Sequence, residues 1–362
     1  MSKRRTLVAL ALLALTAAAS LTCSPVYVFR AGIEEGKILS RRKPIQSVID
    51  DPSTQPEIRR KLGLVLQARD FAEHSLALDA GESYTTYSWV ESDTLLMVLS
   101  AAYQDRFAPH TWWFPIVGRV PYKGFFDFDD AYAAADQLRK QGFDTYVRPS
   151  GAFSTLGWFN DPLLNTVLRY GDVSLTSTVI HELLHNTVFI PGHVSFNESF
   201  ANFVGDRGAI QFFCLREGED SQRCRLATAA WGDNLLFGEF LTDLVRDLES
   251  LYGRTDITRD EKLAQRERIF QNARTRFESE VEPRLQTTSF RGFSKEQLDN
   301  ATLIGTRLYY DRLGLFDAVF ERLGRDLPAT IAAIDKATRN TKDPFAALEQ
   351  LAGVSASGRF EE

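Results

Sequence analysis

Residues 178–206 read TVIHELLHNTVFIPGHVSFNESFANFVGD, and the rest of the chain can be arranged around them. They contain an H-E-x-x-H, His181-Glu182-Leu183-Leu184-His185, and thirteen residues past the second histidine comes Glu198. On an α-helix, residues four apart lie on the same face. The spacing therefore lets His181 and His185 direct two imidazoles at one metal ion. Glu182 falls one step round the helix, where a general base for metal-bound water is needed. The surrounding sequence predicts that helix. Leu175, Val179, Leu183 and Val188 recur at helical spacing, and Asp172 and Ser174 are N-cap candidates. Ile190-Pro191-Gly192 is a stop signal.

A catalytic zinc takes three protein ligands and keeps a fourth position open. Glu198 is the expected third ligand to a single Zn2+, at the start of a second helix predicted over 198–213. Two other readings compete. Ser195-Phe196-Asn197-Glu198 also spells a capping box, in which the glutamate bonds back to the N-cap backbone. His193, eight residues past His185, is an alternative ligand, although it reads as a turn residue beside Gly192.

The chain has 362 residues, 44% of them hydrophobic and 12% aromatic, which suffices for a large core in one elaborated domain or two. Its net charge is -6 with the two signs mixed, and it has no basic stripe of the kind that marks nucleic-acid partners. Lys3, Arg4 and Arg5 precede an apolar run over 6–21, an export signal too short for a membrane span. Cys23 follows it as a lipidation candidate, although Ser20-Leu21-Thr22 is a poor lipoprotein box. Lipoprotein, secreted protein and signal-anchored protein all remain open. Each places the chain on the periplasmic side of a bacterial envelope, held at the membrane by lipidated Cys23 in the first case and by an N-terminal anchor in the third. In that oxidising compartment Cys214 and Cys224 are candidates for a disulfide, or for two free thiols.

Along the chain, 57–78 predicts an amphipathic helix, and residues 84–126 carry strand composition with aromatic clusters. A helix over 127–141 and a strand over 143–148 follow. Gly151-Ala152-Phe153-Ser154 opens a segment ending in Asn160-Asp161-Pro162. It reads either as an edge strand that receives an extended peptide substrate by β-augmentation or as a plain strand and turn. Helices are expected over 226–252, 256–281, 298–313, 315–323 and 327–337. The basic residues of 256–281, Arg266 among them, read as a solvated face. The expected organisation is a leader or anchor over 1–23, a body over 24–213 with the mixed sheet and zinc helices, a helical part over 214–353 on the same body, and a flexible tail over 354–362.

The chemistry implied is metal-assisted attack of water on a carbonyl, for which the oxyanion needs a donor. Tyr309 and Tyr310 are candidates. Phe196-Asn197-Glu198-Ser199-Phe200-Ala201 resembles the N-E-G-F-A segment of gluzincin aminopeptidases of the aminopeptidase N type, where the glutamate is the third zinc ligand. More broadly, the chain resembles a bacterial family of zinc aminopeptidases, often envelope lipoproteins. The resemblance rests on Trp113-Phe114-Pro115-Ile116-Val117-Gly118, Pro121-Tyr122-Lys123-Gly124, Ser154-Thr155-Leu156-Gly157-Trp158-Phe159, the H-E-x-x-H, and Asn300-Ala301 before Tyr309-Tyr310. It implies an α+β fold with a zincin, thermolysin-like catalytic core, a small N-terminal mixed sheet and a mostly helical C-terminal part. It also implies a zinc metallopeptidase of aminopeptidase type acting on peptides or proteins, with Tyr310 ahead of Tyr309 as oxyanion donor. In the aminopeptidase N group a Gly-Ala-Met-Glu-Asn segment grips the substrate amine. The counterpart here, Gly151-Ala152-Phe153-Ser154-Thr155, has no acid. The acid that follows the ligand glutamate by seven positions in that group is Gly205 here, with Asp206 beside it. The rival expectations are a zinc endopeptidase acting on envelope proteins and a non-catalytic envelope binding protein. The latter leaves Glu182 without a role.

Overall fold

Strands and helices segregate along the chain. Lys43–Pro44 (β1), Ile45–Asp50 (α1) and Pro56–Ser75 (α2) come first, then Thr86–Ser88 (β2), Leu96–Tyr103 (β3), Trp112–Phe114 (β4), Gly118–Val120 (β5) and Tyr122–Phe125 (β6). Phe128–Lys140 (α3), Phe143–Ser150 (β7) and Leu163–Leu164 (β8) complete the mixed part. The remainder is helical: Asp172–Thr187 (α4), Val194–Glu217 (α5), Gln222–Tyr252 (α6), Arg259–Arg276 (α7), Asn300–Arg307 (α8), Leu313–Arg322 (α9), Leu327–Thr338 (α10) and Pro344–Ala352 (α11). This computed structural model describes residues 36, 38–91, 96–114, 118–150 and 162–353. Cys23 and the leader, Gly151, Ala152, Phe153 and Ser154 with the rest of 151–161, and the tail over 354–362 lie outside the described residues. The class is α+β. No described helix is long and apolar enough to cross a membrane.

The sheet that matters for the site runs β6-β3-β7, antiparallel throughout. Side chains alternate across a strand. One face, with Met97, Leu99, Phe125 and Val147, packs on Ala131 and Ala135 of α3. The other face carries Ser100, flanked in register by Tyr122 and Tyr146. Against this face lies α8, where Gly305 allows close approach: a Cβ there would stand 3.3 Å from the Tyr146 ring.

The H-E-x-x-H helix α4 buries Val179, Ile180, Leu183 and Leu184 against α2 and α5. On α5, Phe196, Phe200 and Phe203 pack on Phe316 of α9, and Phe196 also meets Phe345 of α11. Segments beyond residue 214 thus complete the core under the motif helices. Cys214 and Cys224 are joined in a disulfide, their Cα atoms 4.8 Å apart, which ties the end of α5 to the start of α6.

Three expectations are corrected. Neither Asp172 nor Ser174 caps α4: Gly171 holds the N-cap position, and Asp172 in the first turn pairs with Arg60 and Arg223. The helix expected over 298–313 ends at Arg307, so Tyr309 and Tyr310 lie in a turn. Arg266 is no solvated charge. It is 6% exposed and forms a two-pronged pair with Asp144 at 2.8 and 3.0 Å, and Asp144 also accepts from the Asn300 amide. Local charge pattern could not reveal this, because the partner lies 122 residues away. Breaking a buried pair strands the other charge. Arg266→Ala is expected to lower unfolding free energy by about 3–5 kcal/mol, read by chemical denaturation.

Candidate metal centre

His181 and His185 project from one face of α4, their ring centres 5.0 Å apart and nearly perpendicular. Glu198, on the first turns of α5, faces both. Its Oε2 lies 3.4 Å from His181 Nε2 and 3.8 Å from His185 Nε2. One ligand atom from each residue falls within 4.8 Å of the others, among the described residues the one such group that could hold a metal. The capping box does not form. His193 is the N-cap residue of α5 without a side-chain cap, and Ser195 Oγ donates to Asp311 instead, at 3.0 Å. Glu198 is therefore free for the histidines.

The sequence folds this way for local reasons. Asn197, just before Glu198, clamps the connector: it accepts from the Ile190 amide at 3.0 Å and donates to the Ile190 carbonyl at 2.9 Å. The chain reverses at Gly192, whose φ of 83° suits glycine. Further along, α5 meets α4 at Gly205, where a Cβ would lie 2.7 Å from the Ser177 carbonyl oxygen and 3.1 Å from His181 Cβ. Asp206 beside it accepts from Ser177 Oγ and Asn234 Nδ2, both at 2.6 Å.

The electrostatics suit a cation. Burial works against a charged His181, but the Glu198 hydrogen bond and the charges of Glu182, Glu198 and Asp206 hold its pKa above the ordinary value. Burial favours a protonated Glu198, yet the imidazoles of His181 and His185 that face it outweigh this and hold that carboxyl well below the usual range. Asp206 is pushed up by burial. Two buried imidazoles and a carboxylate sharing one space are the borderline N and O donors that zinc takes. Among the described residues His185 Nδ1 is buried without a hydrogen-bond partner, so packing orients the ring. The residues fit a zinc ion.

The face of α5 next to Glu198 also places a tyrosine. Ser199 Oγ donates to the Leu308 carbonyl and accepts from the Asp311 amide, and Asn202 donates to the Tyr309 carbonyl. Ser195, Ser199 and Asn202 follow helical spacing and pin the turn after α8. Tyr309 lies there with its ring 6.3 Å from that of His181. Its hydroxyl is pushed up by burial and then by the charge of Glu198, with Glu182 adding to it. Tyr310, the tyrosine preferred from sequence, points elsewhere: it packs in the aromatic cluster, 5.3 Å from Phe237 and 5.5 Å from Phe290.

Two residues had no role in the sequence reading. Tyr122 of β6 is pushed up to about 12, by burial first and then by the charges of Glu198 and Glu182. Arg148 of β7 lies 6.0 Å from the Tyr309 ring centre. Strand alternation puts both on the sheet face toward α8, but only once the pairing of β6, β3 and β7 is known.

Neither the curated proteins nor the solved structures include one that matches this chain. A family profile does, over residues 26–346, nearly the whole of the described structure. With that match and a helix pair that gathers His181, Glu182, His185 and Glu198, the chain belongs to the family described as "Putative aminopeptidase".

Proposed function

We propose that this protein is a zinc-dependent metallopeptidase, acting chiefly as an aminopeptidase, with a thermolysin-like arrangement of its two motif helices. The observation that carries the reading is the convergence of His181, His185 and Glu198 within 4.8 Å, with Glu182 intact on the same helix. His181, His185 and Glu198 would hold one Zn2+. Bound there, zinc supplies a Lewis acid that polarises a carbonyl and brings the pKa of water toward about 7.

Glu182 takes the proton of the attacking water and returns it to the leaving amine. It is half-buried, and its charge reaches both Tyr122 and Tyr309, so it faces the same space as they do. Tyr309 donates its hydroxyl proton in a hydrogen bond to the developing oxyanion. A phenol with a raised pKa stays protonated and can donate. Tyr309→Phe is expected to lower kcat by about 10²-fold, as loss of one oxyanion donor does. Tyr310→Phe, in the aromatic cluster, serves as the comparison and should change kcat several-fold less. Equal losses in both variants would remove Tyr309 from this role.

The disulfide between α5 and α6 supports a location in an oxidising compartment, consistent with the export signal at the N-terminus. We assign the protein to the periplasmic side of the bacterial envelope, attached through Cys23 or its leader.

The test is direct. The purified chain should contain one zinc per molecule by elemental analysis and cleave free-amine peptides faster than N-blocked ones. Full zinc without cleavage of either set would end the peptidase reading. Preferential cleavage of blocked peptides would make the enzyme an endopeptidase.

A further inference from the structure

The sheet face beside the metal centre carries a cation that no carboxylate among the described residues answers. Alternation along β7 places Asp144, Tyr146 and Arg148 on that face. Asp144 is occupied by Arg266 and the Asn300 amide. Tyr146 packs against Gly305. Arg148 is half-buried, and its guanidinium carbon lies 6.0 Å from the Tyr309 ring centre. Among the described residues no carboxylate pairs with it and no hydrogen bond holds it. In its row across the sheet stand Val98 and Gly124, and neither is long enough to cover it.

A half-buried guanidinium has given up part of its hydration, and its five N–H donors are costly to leave unanswered. Their planar fork matches a carboxylate through two parallel hydrogen bonds. The tyrosine beside it sets the distance. The Tyr309 ring is also 6.3 Å from the His181 ring. An extended chain advances about 3.3–3.6 Å per residue, so the His181 ring and Arg148 are at most about three to four residues of peptide apart.

We infer that Arg148 receives the C-terminal carboxylate of a short peptide whose scissile carbonyl lies at His181, His185 and Glu198, which makes free-acid di- to tetrapeptides the preferred substrates. The inference rests on the peptidase reading above and adds a substrate class to it. Arg148 recognises the end of the substrate. Tyr309, near both, serves the carbonyl.

The experiment compares a tripeptide library as free acids with the same library as C-terminal amides, using the full zinc-loaded chain. Wild type should favour the acids by at least about 10-fold in kcat/KM, the scale of a charge-assisted pair. Arg148→Ala should bring that ratio to within about twofold, chiefly by raising KM for the acids, and Arg148→Lys, which keeps the charge but not the fork, should fall between. Equal rates on acids and amides by wild type, or a ratio that Arg148→Ala leaves unchanged, would overturn the inference. A readout independent of turnover uses the zinc-loaded Glu182→Gln variant, in which calorimetry should show trialanine binding at least about 10-fold more tightly than its amide. Wild type that cleaves neither library overturns the peptidase reading, while the calorimetric preference still decides Arg148: its presence supports the carboxylate site, and its absence rejects it.

Discussion

Glu182→Gln is expected to keep one zinc per chain and to lose about 10²–10⁴-fold in kcat. Glutamine has the size and shape of glutamate but cannot take a proton. The three proposed ligands are separate residues, two on α4 and one on α5, and the substitution touches none of them. Metal content and folding should therefore match wild type, with KM little changed. This sets Glu182 apart from Glu198. Glu198→Ala removes the carboxylate that both histidines face, at 3.4 and 3.8 Å, so zinc content should fall together with activity. A Glu182→Gln chain that lost its zinc would make this residue a ligand. A Glu198→Ala chain with full zinc would return Glu198 to the role of a helix residue and revive His193 as the third ligand. Elemental analysis and peptide turnover on the same samples separate these outcomes.

Gly205→Ala is expected to be nearly as damaging, although it removes no functional group. The added Cβ would stand 2.7 Å from the Ser177 carbonyl oxygen, a backbone atom of α4 that cannot swing aside. It would also press on His181 Cβ at 3.1 Å. The two helices must part, and Glu198 travels with α5 while His181 and His185 stay on α4. Overpacking of this kind costs about 1–3 kcal/mol in stability, and a ligand set drawn from both helices loses its geometry at the same time. Zinc affinity should fall by at least about 10-fold, the lower end for disturbed metal surroundings. Gly208→Ala gives a graded control, since its Cβ would meet only side-chain atoms of Ile180 and Leu76, at 3.0 and 3.1 Å. Those side chains can repack. Competition with a chromophoric chelator measures the affinities. Equal affinity in Gly205→Ala and wild type would show that the helices have slack here.

The leucine and valine spacing around 178–188 marked α4 with its ends displaced by only a few residues, because a helix buried on one side must repeat its apolar positions. Its start was misread, since Asp172 is engaged by Arg60, from a helix more than a hundred residues upstream, and by Arg223. The same blindness to distant partners made Arg266 look solvated. The apolar periodicity of 298–313 continues past Arg307, where the helix itself ends. The chain turns there because Ser199 and Asn202 of α5 bind the Leu308 and Tyr309 carbonyls, which a continuing helix would have used itself. The choice between Tyr309 and Tyr310 was out of reach for the same reason. Adjacent residues in a turn face opposite ways, and only the turn's attachment to α5 says which one meets His181.

By itself the sequence determined what is local: two histidines and a glutamate at helical spacing, the helix that carries them, an α+β order of elements, and a second glutamate near the start of the next helix. Those follow from periodicity, which each short segment records without reference to the rest. The tertiary structure decided what depends on pairs far apart in the chain. It turned Glu198 toward the histidines instead of its own N-cap, because Asn197 holds Ile190 and Ser195 is taken by Asp311. It brought Tyr309 to the candidate metal centre and sent Tyr310 into the aromatic core. It also set Tyr122 and Arg148 on one face of a sheet whose register no single strand specifies, since a strand's two faces acquire different meanings only when its neighbours are known.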